Sequence, residues 1–256
     1  MFTRAIVRPP GSSFAEGLTT AGLGAPDLPR ALEQHRIYVD ALRACGLDVT
    51  VLEPDVLHPD STFVEDTAVL TARLAVLTRP GAPSRAGEVV AIGAVLAEFY
   101  PVVNAIFEPG TLDGGDICEA GPHFFLGISH RTNAEGARQL GILLSEAGYT
   151  SSPVDLRAME GLLHLKSGLT SLGDGRLLAI DALAGHEAFR AFEVVRVPPG
   201  EEYAANCIRV NESILLPAGY PGTEERLEAL GYPVVTLEMS EFRKMDGGLS
   251  CLSLRF

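Results

Sequence analysis

The feature that most constrains the fold is a unit that recurs along the chain. Each copy reads as a strand, a tight turn, a second apolar strand, an amphipathic helix and a short return strand. The first hairpin covers 64–70 and 74–77, followed by a helical stretch over 87–99 and a strand over 102–107. The second covers 116–119 and 124–127 about a Gly121-Pro122 turn, with a helix over 130–147 and a strand over 150–155. The third covers 166–171 and 177–180 about Gly173-Asp174-Gly175, with a short helix near 186–192. The fourth covers 205–210 and 213–216 about Asn211-Glu212, with a helix over 223–230 and a strand over 234–237. Hairpins starting near 64, 116, 166 and 205 repeat every ~40–50 residues, the spacing of a propeller-like or solenoid array.

A fifth unit is split between the two ends. It has a strand at 3–8, a helix at 28–44 with Leu28, Leu32, Val39, Leu42 and Cys45 near one face, and a strand at 49–52. It lacks the first strand of its hairpin, and the apolar stretch 249–254 can supply it. That pairing closes the array into a ring, removes sheet edges and ties down a terminus that would otherwise fray. Along a strand here, Leu249, Cys251 and Ser253 share one face. The pattern predicts a single α/β domain over 1–256, with no linker. Residues 11–26 form its one long irregular loop, with the character of a lid.

The composition excludes several classes. The net charge is −13 and no Lys/Arg cluster appears, so a nucleic-acid face is not expected. No apolar run reaches the length of a membrane span, and the apolar part of the N-terminus is too short for a signal peptide. The four cysteines (45, 118, 207, 251) form no CxxC pair, so neither a disulfide framework nor a zinc site is indicated, which suits the cytoplasm.

Chemistry-bearing residues gather at equivalent positions. Three segments sit at the entry to a first hairpin strand: 58–66, 112–116 and 162–168. In a closed ring such positions meet at one end, together with Cys251 just after Asp246-Gly247-Gly248. Cys251 reads as a nucleophile or as a small buried side chain. His164 reads as a base near neutrality or as a hydrogen-bonded core histidine. The other five histidines read as surface or loop residues. Asp60, Glu65, Asp66, Asp113 and Asp116 are too many carboxylates for one small site unless a cation sits among them. A guanidinium, planar and always charged, fits that need. Glu65 and Asp116 also read as solvated turn residues. Arg85 and Arg131 follow the second strands of their hairpins in matching places, as paired carboxylate clamps or as surface charges at helix starts.

These motifs resemble those of the dimethylarginine dimethylaminohydrolases, members of the guanidine-modifying superfamily. The resemblance runs through Glu16-Gly17-Leu18-Thr19, Asp60-Ser61-Thr62-Phe63-Val64-Glu65-Asp66, Leu112-Asp113-Gly114-Gly115-Asp116-Ile117, Arg131-Thr132-Asn133, His164-Leu165-Lys166, Tyr203-Ala204-Ala205-Asn206-Cys207 and Asp246-Gly247-Gly248 with Ser250-Cys251-Leu252-Ser253. It implies a five-bladed α/β propeller of ββαβ repeats with pseudo-five-fold symmetry. It implies hydrolysis of Nω-methylated arginine to citrulline through a covalent adduct on Cys251, with His164 as acid and base and Asp113 orienting it. Asp66 and Asp113 would hold the guanidinium. Asp60 and the Leu18 carbonyl would take the α-amine, and Arg85 and Arg131 the α-carboxylate. Phe63 would pack on the aliphatic stem, Glu65 would back the site from behind, and Ser250 would line it beside the nucleophile. No metal or cofactor is implied, and relatives imply a homodimer or a monomer.

Asp113 stands where some bacterial members carry Glu, so its partner must sit closer or a water must intervene. Alternatives are an arginine deiminase-type hydrolase on unmodified arginine or another guanidine, a thiol hydrolase acting on an amide, and an inactive amino-acid binder. The last two leave Asp60, Asp66, Arg85 and Arg131, or Cys251 and His164, unexplained.

Overall fold

The computed structural model describes all 256 residues. It divides into two compact units, residues 1–64 with 197–256, and residues 65–196. In chain order the first unit begins with β1 (Arg4–Val7), α1 (Leu28–Ala44) and β2 (Asp48–Val51). The second unit holds three repeats. The first is β3 (Ala68–Leu70), β4 (Ala75–Leu77), α2 (Glu88–Leu96) and β5 (Val103–Ala105). Next come β6 (Ile117–Ala120), β7 (His123–Ile128), α3 (Ala134–Glu146) and β8 (Thr150–Asp155). The third is β9 (Leu169–Gly173), β10 (Arg176–Ala179), α4 (Asp181–Ala184) and β11 (Glu193–Arg196). The chain then completes the first unit with β12 (Ile208–Val210), β13 (Ser213–Pro217), α5 (Pro221–Ala229), β14 (Val234–Leu237), α6 (Ser240–Arg243) and β15 (Leu254–Arg255).

The result is an α/β fold of five three-stranded mixed sheets. In four of them an antiparallel hairpin is followed by a parallel return strand. The fifth has the same form but is assembled from both ends. β15 pairs antiparallel with β1 through Ala5–Arg255 and Ile6–Leu254, and β2 pairs parallel with β1. The C-terminal strand therefore completes the split unit.

Helix α1 starts where Asp27 accepts the Arg30 N–H at 2.8 Å, with Pro29 in the first turn, where a missing N–H costs nothing. It buries Ala31, Tyr38, Val39 and Leu42, at helical spacing, against Leu215, Phe242 and Leu249. Leu32, expected on that face, is exposed, while His35 is buried there instead of lying at the surface. Asn133 caps α3 in the same manner, accepting the Gly136 N–H at 2.8 Å. The second unit packs Val76, Phe124, Leu140 and Leu144 in one cluster and Phe125, Leu165, Leu177 and Phe189 in another. No helix is long and apolar enough to cross a membrane.

One element of the repeat departs from the expected hairpins. A 3-10 turn precedes every first strand: Val64–Thr67, Gly114–Asp116, Leu165–Ser167, Glu202–Ala205 and Ser250–Leu252. These turns take residues that period-two reading assigned to strands. Cys251 thus lies in a tight turn, not on a strand, and β15 has two residues. The physical reason is that Asp66, Asp116 and Asn206, in or just after three of these turns, are buried and accept backbone N–H groups of another turn, which hydrophobic alternation does not register.

Candidate active site

In the second unit the turns bring Asp66, Asp113, Asp116 and His164 together. Each of the four is buried. His164 Nε2 lies 3.1 Å from Asp113 Oδ2. The other oxygen of Asp113 accepts the Gly81 N–H at 2.8 Å, and Arg131 Nη1 approaches Oδ2 at 3.4 Å. Asp113 therefore meets His164 directly, the first of the two arrangements open to the shorter side chain. Asp66 accepts the Gly115 N–H at 2.8 Å and an N–H of Arg85. Gly115 is fixed in identity by crowding: a Cβ there would stand 2.7 Å from His164 Nδ1 and 2.8 Å from Asp66 Oδ1.

The cation needed among these carboxylates is in part the chain's own. Arg85 is buried between Asp66 and Glu88, with Nη2 at 2.8 Å from Glu88 Oε2. Glu65 pairs with Lys166 Nζ at 2.7 Å. Burial alone would push the His164 imidazole down, but Asp66, Asp116 and Asp113 carry it up to about 9. Burial likewise opposes ionisation of Asp66, yet His164 and Arg85 hold it down at about 2. Burial pushes Asp116 above the usual carboxylate range, against His164 and hydrogen bonds from Thr132, Ser129 and the Leu165 N–H. The imidazole is thus charged at neutral pH and hydrogen-bonded to a carboxylate, a state that can give a proton.

Asp66, Asp113 and His164 could also offer three ligand atoms within 4.8 Å of one another. Both oxygens of each carboxylate, however, already accept hydrogen bonds from the chain. That donor set is arranged for side-chain cations and N–H groups.

In the first unit Cys251 sits in a turn closed on itself. Its N–H donates to the Gly248 carbonyl at 3.2 Å, and the Gly248 N–H donates back to Sγ at 3.4 Å. Ser250 Oγ lies 3.9 Å from the same sulfur. Tyr203 donates its hydroxyl to the Gly247 carbonyl at 2.7 Å, and Arg243 stacks over its ring. Asp60 accepts the Leu18 N–H at 3.0 Å, so the two residues expected at the α-amine end are neighbours. Thr20 donates its N–H and hydroxyl to Asp246 Oδ2, tying the 11–26 loop to the segment that leads into the Cys251 turn. Phe63 is buried against Phe14 and Phe242.

Glu88 and Ser129 escaped the sequence reading, and Lys166, Thr132 and Asn206 stood in its motifs without a role. Asn206 accepts the Ser250 N–H at 2.9 Å. The available signal was a polar residue closing each turn just before an apolar strand. Cys118 and Cys207 are buried packing residues, as expected, and burial pushes the Cys118 thiol up to about 11.

No family model matches the chain. Among curated proteins it is 49% identical over 257 residues to an N(G),N(G)-dimethylarginine dimethylaminohydrolase of Pseudomonas aeruginosa, covering 100% of both. Among solved structures, a Pseudomonas aeruginosa dimethylarginine dimethylaminohydrolase, a cysteine-to-serine mutant complexed with citrulline, superposes with a TM-score of 0.97 at 48% identity over 100% of both chains. A histidine-to-glycine dimethylarginine dimethylaminohydrolase, an adduct with S-methyl-L-thiocitrulline, gives 0.96 at 48% identity, again over 100% of both chains. Likeness of this extent makes the chain a hydrolase of guanidino C–N bonds. In particular, it belongs to the dimethylarginine dimethylaminohydrolase family.

Proposed function

We propose that the chain hydrolyses asymmetric dimethylarginine and monomethylarginine to L-citrulline and dimethylamine or methylamine. The observation that carries the reading is His164, buried, bonded to Asp113 and held as imidazolium with its pKa at about 9. The thiolate of Cys251 attacks the guanidinium carbon and forms a C–S bond. His164 gives its proton to the methylated nitrogen, the C–N bond breaks and the amine leaves. The neutral imidazole then takes a proton from water, whose oxygen adds to the thiouronium carbon. The C–S bond breaks, the added hydroxyl gives up its proton to the released amine, citrulline departs and the thiolate and imidazolium are restored.

Asp66 and Asp113 hold the guanidinium in this reading and Arg131 faces the α-carboxylate, while Arg85, expected beside it, is committed to Asp66 and Glu88 and supports the site through them. Asp60, with the Leu18 carbonyl, takes the α-amine. Phe63 packs on the aliphatic stem, Ser250 lines the site, and Glu65, through Lys166, supports it from behind. In this reading the enzyme acts in the cytoplasm, either as a homodimer or as a monomer. Support comes from relatives solved with citrulline and as an S-methyl-L-thiocitrulline adduct. Rapid-quench mass spectrometry during turnover tests the covalent step. Added mass on the peptide containing Cys251 is expected, and turnover with no adduct at any quench time contradicts it.

A further inference from the structure

Three pairs of these 3-10 turns are joined by one recurring kind of bond. A side chain at or near the end of one turn accepts a backbone N–H from the first or second residue of another. Asp66 accepts the Gly115 N–H at 2.8 Å. Asp116 accepts the Leu165 N–H, directly after His164, at 3.0 Å. In the other unit, Asn206 accepts the Ser250 N–H, directly before Cys251, at 2.9 Å. These acceptors are buried and lie one or two residues ahead of their strands. Asp116 is further fixed by the Ser129 hydroxyl at 2.7 Å.

Asn206 does more than accept one bond. Its side chain fills the space beside Gly248: a Cβ there would stand 2.4 Å from Asn206 Cγ. It therefore holds both ends of the short turn, Gly248 by contact and Ser250 by hydrogen bond. Between those ends the Gly248 N–H points at Cys251 Sγ, 3.4 Å away. An N–H aimed at sulfur favours the thiolate over the thiol, because the charged acceptor makes the stronger bond. We propose that Asn206 is a positioning residue for the nucleophile, holding the turn so that the Gly248 N–H stabilises the Cys251 thiolate. The inference deepens the hydrolase reading and rests on Cys251 as its nucleophile.

The test is the pH dependence of Cys251 alkylation by iodoacetamide, followed by peptide mass spectrometry in wild type, Asn206→Ala and Asn206→Ser. Serine is too short to reach the Ser250 N–H. This readout needs no substrate, so a failure of wild type to release citrulline strikes the hydrolase reading and leaves this result standing. Both variants should alkylate Cys251 about tenfold more slowly at neutral pH, with the midpoint moved to higher pH, since a bond to a charged group is lost. The fully buried Cys207 should stay unreactive. General loosening would do the reverse, speeding both thiols. Alkylation of Cys251 at wild-type rate, or faster, in the variants overturns the proposal. Hydrogen exchange on wild type gives an arm independent of variant folding: the Ser250 amide should be protected, and exchange at the rate of an open amide overturns the proposal equally.

Discussion

Nε2 of His164 lies 3.1 Å from Oδ2 of Asp113, and both side chains are buried. The carboxylate therefore acts on the imidazole without solvent screening, and favours its charged form. Asp113→Asn keeps the shape and removes the charge. Its imidazole should lose its proton below the wild-type value of about 9, so the basic limb of the kcat profile moves to lower pH. kcat itself should fall by about 10²-fold, the scale of positioned acid–base catalysis. A pH–rate series checks both, and an unmoved limb with wild-type kcat contradicts the assignment.

The two arginines should separate. Arg85 lies between Asp66 and Glu88 with 5% side-chain exposure, whereas Arg131 shows 19% and makes one long contact to Asp113. Arg85→Ala leaves buried carboxylates uncompensated, which costs about 3–5 kcal/mol of stability. Arg131→Ala should raise KM at least tenfold with a nearly unchanged unfolding midpoint. Thermal unfolding beside Michaelis kinetics reads the split. Equal losses of stability in both variants would remove the distinction.

His35 gives the fold an acid-side weakness. Burial drives its imidazole down to about 4, against a hydrogen bond to the Arg8 backbone, and Nε2 has no partner. A lowered folded pKa means the neutral form is favoured in the native state. The contribution is complete above the unfolded value of ~6.5 and is lost as pH falls toward 4, by up to about 3 kcal/mol. His164, shifted the other way, contributes below ~6.5 and loses that contribution as pH rises through about 9. Denaturant titrations of His35→Gln should show a flatter slope between pH 4 and 6.5 than wild type. An identical slope sinks the claim.

Gly248→Ala should destabilise the protein by ~1–3 kcal/mol, since its Cβ meets Asn206 Cγ at 2.4 Å. In an Asn206→Gly background the same change should cost much less. A double-mutant cycle measured by urea unfolding gives the coupling; strict additivity would mean that the two residues do not touch.

The recurring unit was legible because hairpin turns and apolar strands carry local signals. Gly173-Asp174-Gly175 and Asn211 mark turns by residues that accept positive φ, as Gly173, Asp174, Gly175 and Asn211 do. The helices from 28 to 44 and around 134–146 were legible as amphipathic stretches between strands. The 3-10 turns were not, because Asp66, Asp116 and Asn206 find their partners 44–49 residues away. The return strand Glu193–Arg196 was missed because its half-exposed, charged sequence carries little apolar signal. His35 was misread because a histidine beside apolar helix positions looks the same whether buried or not. Of the candidate residues, Asp113 with His164, Asp66 with Arg85 and Leu18 with Asp60 are brought into contact within their units. That Arg85 is committed to Asp66 and Glu88 depended on Glu88, three residues further on, which no motif singled out.

Thiol-dependent hydrolysis of methylated arginine is the activity proposed for the chain. Its most direct test is release of citrulline and dimethylamine from asymmetric dimethylarginine by wild type and Cys251→Ser, with unmodified arginine in parallel. Wild type should release both products in equal amounts and turn over plain arginine more slowly, and the serine variant should release neither. Equal turnover by the serine variant would contradict the role of Cys251, and faster turnover of plain arginine would move the activity to a deiminase.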